Sequence, residues 1–458
     1  MKSRSILIAG AGLAGALLAL LLARRGWQVE LLEKRHDQRI KGFESGRSIN
    51  LALAERGLHA LRLAGLEQAV LGQAVRMRGR QVHLGDGRQE FQPYSRTPEH
   101  AIWSVHRGRL NAILLDAAEA AGVRVSFHHR VESVDFVGQR LHLVNDHDRR
   151  RWQRTFDVLI GADGAGSPVR WSMAQHVDLG SRTEPLGHRY KELEIPPDPD
   201  GGFRIEPQAL HIWPRGGYMC IALPNVEGTF TVTLFLPEQG TPDVPGFDRI
   251  RDAHTVRALF EQDFPDALPL IPRLEDDFIA HPAGLLATLY LDRWHLGGRA
   301  VLLGDAAHAM VPFHGQGMNC AFEDCLALDR LLAEADDFES AFAAFQAERL
   351  PQSRAIQQMA LENYEEMRAR VQDPAYRLQR EVELRLAERH PDRFVPRYTL
   401  VSFTRTPYLD AYRRGQIQRA LLVALCEGKH DPESIDYAAA AAMIAKRLPV
   451  LGPPAGTE

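Results

Sequence analysis

The sequence contains little cysteine. Its 458 residues include four cysteines, and no two of them form a C-x-x-C pair. Four cysteines in a chain of this length do not make the disulfide scaffold of a small secreted protein. We therefore expect a protein of the reducing cytoplasm, and no residue set predicts a metal site. The cysteines are Cys220, Cys320, Cys325 and Cys426.

Neither charge nor hydropathy indicates a nucleic-acid or membrane partner. The 55 basic and 59 acidic residues give a formal net charge of −4, so the chain lacks the basic excess that nucleic acid or an anionic membrane attracts. No stretch reaches the ~18 consecutive apolar residues that a membrane span needs. The apolar segment 437–445 is short and is followed by Lys446 and Arg447. We expect no membrane anchor, and the oligomeric state stays open, with a homodimer among the alternatives.

What the sequence does contain is a clear alternation of strand-like and helix-like segments. Residues 5–9 and 28–33 are typical of buried strands and 13–25 of a buried helix, so they predict a β-α-β unit of a parallel sheet. From about residue 180 to 290, strand-like segments separated by Pro and Gly predict an antiparallel sheet. Beyond Met318 the pattern predicts helices over 321–334, 338–350, 353–369, 376–388 and 416–426.

The first motif is a G-x-G-x-x-G run formed by Gly10, Gly12 and Gly15. Such glycines can simply form a tight turn. Here they stand between a predicted strand and a predicted helix, where they let the backbone approach a pyrophosphate at the helix N-terminus. Glu33 ends the second predicted strand, where a carboxylate accepts from ribose hydroxyls. It would repel a 2′-phosphate, so the pattern favours FAD or NAD(H) over NADP(H).

Two further motifs follow strand-like segments. Gly161-Ala-Asp163-Gly comes about 150 residues after the first motif, although Asp-Gly alone is also ordinary turn chemistry. Asp305 ends the next strand and can bond a ribityl hydroxyl. The amides from Gly315 to Asn319 then converge at a helix start, which favours negative charge such as that of a reduced flavin. The alternative is an ordinary helix start with a buried core His308.

These three motifs, in this order, resemble the class A flavoprotein monooxygenases, the para-hydroxybenzoate hydroxylase family. The resemblance implies an α/β fold, in which a Rossmann-type FAD-binding domain carries an inserted antiparallel β-sheet substrate domain and a C-terminal helical region. It also implies FAD as cofactor, with NADPH and O2 as co-substrates. We expect the FAD-binding domain over 1–180 with substrate-domain strands near 75–100, the substrate domain over 181–290, the return of the FAD-binding domain over 291–370, and the helical region over 371–458.

Shorter tracts indicate which branch of this family the chain resembles. GRSINLAL at 46–53, YKEL at 190–193 and NYEEMR at 363–368 are similar to the branch of this family that hydroxylates kynurenine, and the similarity extends from about residue 5 to 405. It implies conversion of L-kynurenine to 3-hydroxy-L-kynurenine through a flavin C4a-hydroperoxide, in tryptophan degradation towards quinolinate and NAD. Eukaryotic members carry a C-terminal membrane anchor that we do not find here, so we expect a soluble bacterial form.

By the same resemblance, residues can be given roles. No side chain is expected to be catalytic, because the flavin supplies the chemistry; Phe313 and His314 are expected to shape the pocket. An arginine can hold the substrate carboxylate with two hydrogen bonds, and the implied substrate-binding residues are Arg80, Tyr94, Asn363, Glu366 and Tyr398. The implied cofactor-binding residues are Gly10, Gly12, Ala14, Gly15, Leu32, Glu33, Lys34, Arg35, Ala52, Arg107, Val131, Asp163, Asp305, Gly317, Met318 and Asn319.

Alternatives stay open at this point. Taken singly, Arg80 is compatible with a surface charge, Tyr398 with a core ring, and Asn363 with an exposed helix residue. The chain could also hydroxylate a salicylate-like or benzoate-like acid, which would need an arginine but not the Asn363 and Tyr398 tracts. A further alternative is a non-catalytic FAD-binding scaffold, which would show no substrate-stimulated NAD(P)H oxidation.

Overall fold

The computed structural model describes residues 5–41, 50–95, 97–368 and 373–452. The N-terminal residues 1–4 and residues 46–49 of the GRSINLAL tract lie outside the described residues. The chain forms two compact units. The first comprises residues 1–74, 105–186 and 285–357, and the second comprises residues 75–104, 187–284 and 358–458.

The described strands are, in chain order, β1 (Ser5–Ala9), β2 (Gln28–Leu32), β3 (Asn50–Leu53), β4 (Ala74–Met77), β5 (Gly79–His83), β6 (Gln89–Pro93), β7 (Ile102–His106), β8 (Arg124–Ser126), β9 (Arg130–Asp135), β10 (Arg140–Val144), β11 (Arg151–Thr155), β12 (Leu159–Gly161), β13 (Arg182–Ile195), β14 (Ala209–Pro214), β15 (Met219–Pro224), β16 (Phe230–Pro237), β17 (Gly284–Tyr290), β18 (His295–Leu296) and β19 (Ala300–Leu302).

The described α-helices are α1 (Leu13–Arg24), α2 (Gln38–Lys41), α3 (Glu55–Leu63), α4 (Glu67–Leu71), α5 (Arg107–Ala120), α6 (Pro168–Met173), α7 (Ala253–Asp263), α8 (Leu274–Ala280), α9 (Asp305–His308), α10 (Gly317–Glu334), α11 (Phe338–Arg368), α12 (Pro374–Arg389), α13 (Arg397–Ser402), α14 (Tyr408–Cys426) and α15 (Tyr437–Arg447).

The first unit is built on a largely parallel sheet with the strand order β18-β19-β12-β1-β2-β8. β1 pairs in parallel with both β2 and β12, and β12 pairs in parallel with β19. α1 is the crossover between β1 and β2, and its nearly all-apolar sequence is buried, as expected for a helix that is hydrophobic on all sides. The predicted β-α-β unit and the predicted α/β fold class are therefore confirmed.

The second unit contains a sheet in which β13, β16, β15, β14, β5 and β6 follow one another. The strands from β13 to β14 pair antiparallel, whereas β14 and β5 pair in parallel. Side chains alternate between the two faces of a strand. One face contributes Leu193, Ile195 and Leu234 to a core shared with Phe260 and Leu274 of α7 and α8. The registers of β5 and β14 place Arg80 beside Leu210, on the opposite face.

Two helices predicted over 338–350 and 353–369 form the single helix α11, so the predicted break was wrong. Pro351 lies inside this helix, although proline removes a backbone donor and clashes with the preceding turn. In the structure the hydroxyl of Ser353 donates to the carbonyl of Leu350 at 2.9 Å. The carbonyl that Pro351 deprives of its helical N–H donor is that of Ala347, four residues earlier, and the helix continues through the proline.

The C-terminal helices have their own core. Leu378, Val382 and Phe394 are buried against Leu421 and Ile444, which belong to α14 and α15. These helices carry polar as well as apolar residues. Across the ranges that the structure describes, no helix combines the length and the apolar character needed to cross a membrane.

Candidate active site

The three sequence motifs of the first unit lie at one edge of its sheet. Gly10, Glu33, Asp163 and Asp305 follow the ends of β1, β2, β12 and β19. Because these strands run parallel, their carboxyl ends meet at the same edge. In open α/β sheets this edge is where ligands bind.

Each of the three glycines of the first motif has a different structural role. Gly10 has a φ of +99° and a side chain there would collide with the carbonyl oxygen of Ala162. A side chain at Gly15 would collide with the carbonyl oxygen of Gly10, so this glycine allows the helix to pack closely on the strand. A Cβ at Gly12 would meet nothing within 4 Å. Gly12 is the N-cap of α1, and this open side of the helix start fits the approach of a pyrophosphate.

Glu33 is buried and held in a defined position. Its carboxylate accepts from the backbone N–H of Ala11 at 3.1 Å and from Nε of Arg35 at 2.9 Å. Burial would raise the pKa of Glu33, but the charge and hydrogen bonds of Arg35 outweigh it and keep the pKa below its ordinary value. An ionised carboxylate anchored to the glycine loop is the acceptor that a ribose diol requires.

Asp163 carries a buried carboxylate oxygen that has no hydrogen-bond partner among the residues that the structure describes. Its Oδ2 accepts from the backbone N–H of Val169 at 3.2 Å, whereas Oδ1 is the unpartnered atom. Burial raises the pKa of Asp163. A buried unsatisfied acceptor costs about 1–3 kcal/mol, so a hydroxyl or N–H donor from a bound nucleotide would fit here. Nearby, Arg170 donates to the carbonyl of Ala306 at 2.9 Å and thereby joins the second motif to the third.

Asp305 is exposed at the start of α9, directly after Gly304. Gly304 has a φ of +58°, and a Cβ there would lie 3.3 Å from Cβ of Ala321 and 3.6 Å from Cβ of Ala14. Cys325 also contacts the carbonyl of Ala14, at 3.2 Å. The third motif therefore packs on the helix that follows the first, as a shared dinucleotide site requires.

The side chain of Asn319 has a structural role. Its amide nitrogen donates to the carbonyls of Ala52 at 2.9 Å and of Gly315 at 2.8 Å, and its Oδ1 accepts from the backbone N–H of Ala54 at 3.0 Å. The amide side chain thus joins β3 to the loop before α10. The group of Asn319 that can face a ligand is its backbone N–H. This N–H lies in the first turn of α10, where helix geometry directs it towards a ligand at the helix start.

A buried charge network lies beneath this loop. Nε2 of His308 lies 2.6 Å from Oδ2 of Asp324, and Nε of Arg349 lies 2.7 Å from Oδ1 of the same carboxylate. Burial would raise the pKa of Asp324, but His308 and Arg349 hold it below its ordinary value. Arg349 also lies 3.2 Å from Glu323, which in turn pairs with Arg56 at 2.7 Å. His308 therefore joins the loop to α10 and α11, in line with a structural role.

The remaining cofactor residues implied by the family resemblance lie around the same edge or the loop before α10. The backbone N–H of His129 donates to the carbonyl of Glu33 at 2.8 Å, which brings the start of β9 beside the end of β2. Phe313 and His314 are both buried in a short 3-10 turn. The positions of the others are Leu32 at the end of β2, exposed Lys34 directly beyond it, Ala52 in β3, exposed Arg107 at the start of α5, Val131 in β9, and Gly317 and Met318 in the first turn of α10.

The second unit brings together four of the five predicted substrate-binding residues. The guanidinium of Arg80 lies 5.1 Å from the ring centroid of Tyr398, and Tyr398 stacks on Tyr94 with 5.5 Å between centroids. NH1 of Arg80 lies 3.9 Å from Oε1 of Glu366. Asn363 is buried one turn before Glu366 in α11, and its Nδ2 lies 3.4 Å from Sδ of Met367. We call Arg80, Tyr94, Glu366 and Tyr398 the arginine cluster.

The arginine cluster has an incomplete set of hydrogen bonds. Nε of Arg80 is buried and has no partner among the described residues, and the 3.9 Å separation from Glu366 exceeds hydrogen-bond range. Burial would lower the pKa of Arg80, but Tyr398 and Glu366 raise it, so the arginine is charged. Burial raises the pKa of Tyr94 and of Tyr398, so both rings are neutral donors. A ligand carboxylate would satisfy this arrangement.

Two further residues contact the arginine cluster, and the sequence analysis did not predict them. The hydroxyl of Tyr376 donates to Oε1 of Glu366. Phe403 contacts both cluster tyrosines, with ring centroids 6.3 Å from Tyr94 and 6.4 Å from Tyr398. Tyr376 was seen only as the first residue of a predicted helix, and a single tyrosine or phenylalanine carries no pattern that signals such a contact.

Known proteins match this chain over most of its length. A family model described as an FAD binding domain matches residues 3–188 and 271–360. The chain is 60% identical over 449 residues to the kynurenine 3-monooxygenase of Stenotrophomonas maltophilia (strain K279a), covering 98% of both chains. It is 59% identical over 448 residues to the enzyme of the same name from Xanthomonas axonopodis pv. citri (strain 306), again covering 98% of both chains.

Solved structures support the fold. The tetrameric form of 2-methyl-3-hydroxypyridine-5-carboxylic acid oxygenase matches with a TM-score of 0.64 and 23% identity, covering 82% of this chain and 95% of that one. P. aeruginosa PqsL in complex with 2-aminobenzoylacetate matches with a TM-score of 0.62 and 22% identity, covering 80% and 97%. At these identities the likeness concerns the fold alone.

Fold, glycine motif and carboxylates together define a flavoprotein with a Rossmann-type FAD-binding domain. The two relatives, each matched over nearly its whole length, assign the chain to one family of these flavoproteins. The chain belongs to the kynurenine 3-monooxygenase family of FAD-dependent hydroxylases, and the family predicted from the sequence motifs is confirmed.

Proposed function

We propose that this chain hydroxylates L-kynurenine to 3-hydroxy-L-kynurenine, with consumption of NADPH, H⁺ and O2 and release of NADP⁺ and water. The observation that carries the proposal is the buried arginine cluster, in a chain about 60% identical to enzymes named for this reaction. L-Kynurenine joins an α-amino acid to an aniline ring. A buried guanidinium with an unpartnered donor beside two aromatic rings fits the carboxylate and the ring of such a molecule.

The first unit holds FAD. The start of α1 receives the pyrophosphate, and Glu33 accepts from a ribose diol. Asp163 and Asp305 accept from hydroxyls of the cofactor, and the amides of Gly317, Met318 and Asn319 favour negative charge at the start of α10. FAD, once reduced by NADPH, would activate O2, and O2 would supply the oxygen atom that is transferred. The chain needs no acid–base triad for this chemistry.

In the second unit Arg80 holds the α-carboxylate. Tyr94 and Tyr398 form the wall against the aromatic part of the substrate and offer neutral hydroxyl donors. Glu366, fixed by the hydroxyl of Tyr376, orients the guanidinium and balances its charge. Asn363 adds an amide from the same helix. Together these groups position the ring and exclude water from it, which prevents loss of the activated oxygen as H2O2.

The test is product identification after aerobic turnover of the purified protein with L-kynurenine and NADPH. Chromatography and mass spectrometry should show one product with one added oxygen atom that co-elutes with 3-hydroxy-L-kynurenine. In ¹⁸O2 the added atom should be ¹⁸O. NADPH oxidation without this product would contradict the proposal. A parallel series with salicylate and benzoate tests the alternative substrates, and no stimulation by any acid would indicate a non-catalytic FAD-binding protein.

A cytoplasmic location belongs to the same proposal. All four cysteines are free and buried in the structure. Burial raises the pKa of Cys220, Cys320 and Cys325, so these thiols are poor nucleophiles and are inert packing groups. Such a set suits a reducing compartment. Fractionation of cells that produce the protein should recover it with soluble cytoplasmic markers.

A further inference from the structure

The second unit contains a cavity of about 510 Å³ that the proposed hydroxylation does not use. It is lined by residues of β13, of the segment after β16, and of α8 and the loop beyond it. Its volume lies in the range of about 300–1,000 Å³ that is usual for small-molecule sites.

The apolar pattern on one face of β13 is interrupted where this strand lines the cavity. Arg189, Lys191, Leu193 and Ile195 share one face of this strand, because side chains alternate. Leu193 and Ile195 belong to the hydrophobic core on that face. The first two positions therefore place cations where the pattern would otherwise continue with apolar side chains, and these cations line the cavity. Lys191 also belongs to the YKEL tract, to which the hydroxylation assigns no role.

Lys191 is buried, and no counter-ion accompanies it in the described part of the chain. It is 7% exposed, its Nζ donates to the carbonyl of His281, and it lies 4.7 Å from the ring centroid of Phe278. No carboxylate of the described residues lies within ion-pair distance of it. Burial lowers the pKa of Lys191. A buried ammonium is costly unless it is paired, so an anionic ligand would complete its surroundings.

The lining also selects the kind of anion. Arg189, Lys191 and Arg251 face Glu238 and Asp248 across the same cavity, which leaves one net positive charge. Arg189 lies 3.5 Å from Glu238, so that pair is largely satisfied internally. A monoanion balances the remaining charge, whereas the two carboxylates would repel a phosphate dianion.

The apolar part of the lining is aromatic. The rings of Phe247 and Phe278 stack with centroids 6.1 Å apart and planes at 20°. Ile250, Ile279 and Ala283 extend this surface, and Ile279 is 61% exposed at the rim. We propose that the cavity is a second small-molecule site, which binds a monoanionic aromatic carboxylate through the Lys191 ammonium and the two phenylalanine rings.

This site is separate from the arginine cluster. β13 and β5 are separated by β16, β15 and β14, and at ~4.8 Å per strand the two lie about 19 Å apart. The registers from β13 to β14 and on to β5 place Lys191 on the α7–α8 face and Arg80 on the other. One ligand therefore cannot contact both cations, and the inference does not depend on the proposed reaction.

The experiment is a ¹⁹F NMR titration of the FAD-loaded protein with 4-fluorobenzoate. Wild type should show a binding event that Lys191→Met weakens by roughly tenfold or more, because a charge-assisted contact is lost. Methionine preserves the length of the buried side chain. FAD content and L-kynurenine turnover should not change. Lys429→Met is the matched control, since Lys429 is an exposed lysine of the same unit. This variant should bind the probe as the wild type does.

A second variant and two further probes make the test decisive. Ile279→Glu adds a negative charge at an exposed rim position and should also weaken 4-fluorobenzoate. 4-Fluorobenzamide and 4-fluorobenzylamine, which lack the negative charge, should bind at least about tenfold more weakly than the acid, and inorganic phosphate should not compete. Equal affinity of Lys191→Met and wild type would overturn the proposal. Absence of 4-fluorobenzoate binding to the wild type would overturn it too, and a change in solution mass on Ile279→Glu would then identify the surface as a protein contact.

Discussion

The guanidinium of Arg80 lies over the ring of Tyr398, with 5.1 Å between Cζ and the ring centroid. Arg80 comes from β5 and Tyr398 from α13, more than 300 residues later in the chain. Stacking on an aromatic face holds the guanidinium in one plane and stabilises its charge by about 0.5–2 kcal/mol. A fixed plane matters because two-point recognition of a carboxylate requires both N–H groups to point the same way.

Removal of the Tyr398 ring should therefore weaken the substrate more than removal of its hydroxyl. We expect Tyr398→Ala to raise the dissociation constant for L-kynurenine by roughly tenfold or more, since both the cation–π contact and the apolar wall are lost. Tyr398→Phe should have a smaller effect. The measurement is a titration of flavin absorbance with L-kynurenine. The control is Tyr412→Ala, which changes a half-buried tyrosine in α14. If Tyr398→Ala bound L-kynurenine with wild-type affinity, the ring of Tyr398 would not belong to the site.

A truncation before Pro396 is a poorer test of the same residue. It would remove Leu421, Leu422 and Ile444, which cover Leu378 and Phe394 in the C-terminal core. Each fully buried aliphatic side chain contributes about 1.5–3 kcal/mol through burial. We therefore expect the truncated protein to lose thermal stability along with L-kynurenine binding. A truncated protein that melts at the wild-type temperature would contradict the role assigned to this core.

Asp305 offers a test of the cofactor site. Asp305→Ala should lower FAD affinity by ~10- to 100-fold, because a hydrogen bond to a charged group contributes about 1.5–3 kcal/mol. Asp305 is exposed in the structure, so the substitution should leave the fold of the unit intact. The change is measured by reconstitution of the apoprotein with FAD. Asp336→Ala, at another exposed position of the same unit, should bind FAD normally, and equal affinity in both variants would show that Asp305 is not a ligand.

Much of the cofactor site was predictable because its residues follow strand ends. Parallel strands carry their carboxyl ends to one edge, so glycines and acids placed there in sequence, such as Gly10, Glu33 and Asp305, meet in space. The pattern also predicted the antiparallel sheet, since short strands separated by Pro and Gly have few other solutions. Local periodicity and elementary topology were sufficient for these features.

Other features depend on contacts between distant segments and left no local trace. The hydroxyl of Tyr376 in α12 donates to Glu366 in α11, and Asn319 joins β3 to its own loop through three hydrogen bonds. The continuation of α11 through Pro351 contradicts the usual rule for proline. Lys191 was seen as part of a family tract, but its position on a core-facing side of β13 required the strand register.

A pH dependence of stability follows from His211. Burial lowers the pKa of His211 to about 4; in the neutral form its Nε2–H donates to the carbonyl of Glu206 and its Nδ1 faces Nε2 of His83. The unfolded chain has a histidine pKa of about 6.5, so it binds more protons than the folded chain between these two values. Stability should therefore fall as the pH drops through this window, by about 1 kcal/mol between about pH 7.5 and pH 5.5.

Chemical denaturation at the two pH values measures this effect. His211→Gln should reduce the difference between them, whereas His254→Gln, which changes an exposed histidine of the same unit, should leave it unchanged. Asp266, which contacts His83 at 2.7 Å, has a lowered pKa, so its own contribution is lost only at more acidic pH. An undiminished pH difference in His211→Gln would show that another group is responsible.

The strongest test of the proposed substrate site is Arg80. Removing one partner of a buried ion pair typically costs ~3–5 kcal/mol, because the other charge stays unpaired. Arg80→Ala should therefore weaken L-kynurenine by at least ~100-fold, with no change in flavin content. Lysine at this position should restore only part of the affinity, since a point charge does not reproduce the planar guanidinium. The titration follows flavin absorbance or stimulated NADPH oxidation.

Arg78 provides a matched control for this test. It lies two residues before Arg80 and is exposed, whereas the side chain of Arg80 is 11% exposed. Arg78→Ala should bind L-kynurenine as wild type does. The decarboxylated amine analogue of kynurenine should bind wild type poorly and should scarcely distinguish it from Arg80→Ala, because the group that Arg80 holds is missing. If Arg80→Ala bound L-kynurenine normally and Arg78→Ala did not, the carboxylate would belong to Arg78, and the arginine cluster would have to be explained by packing alone.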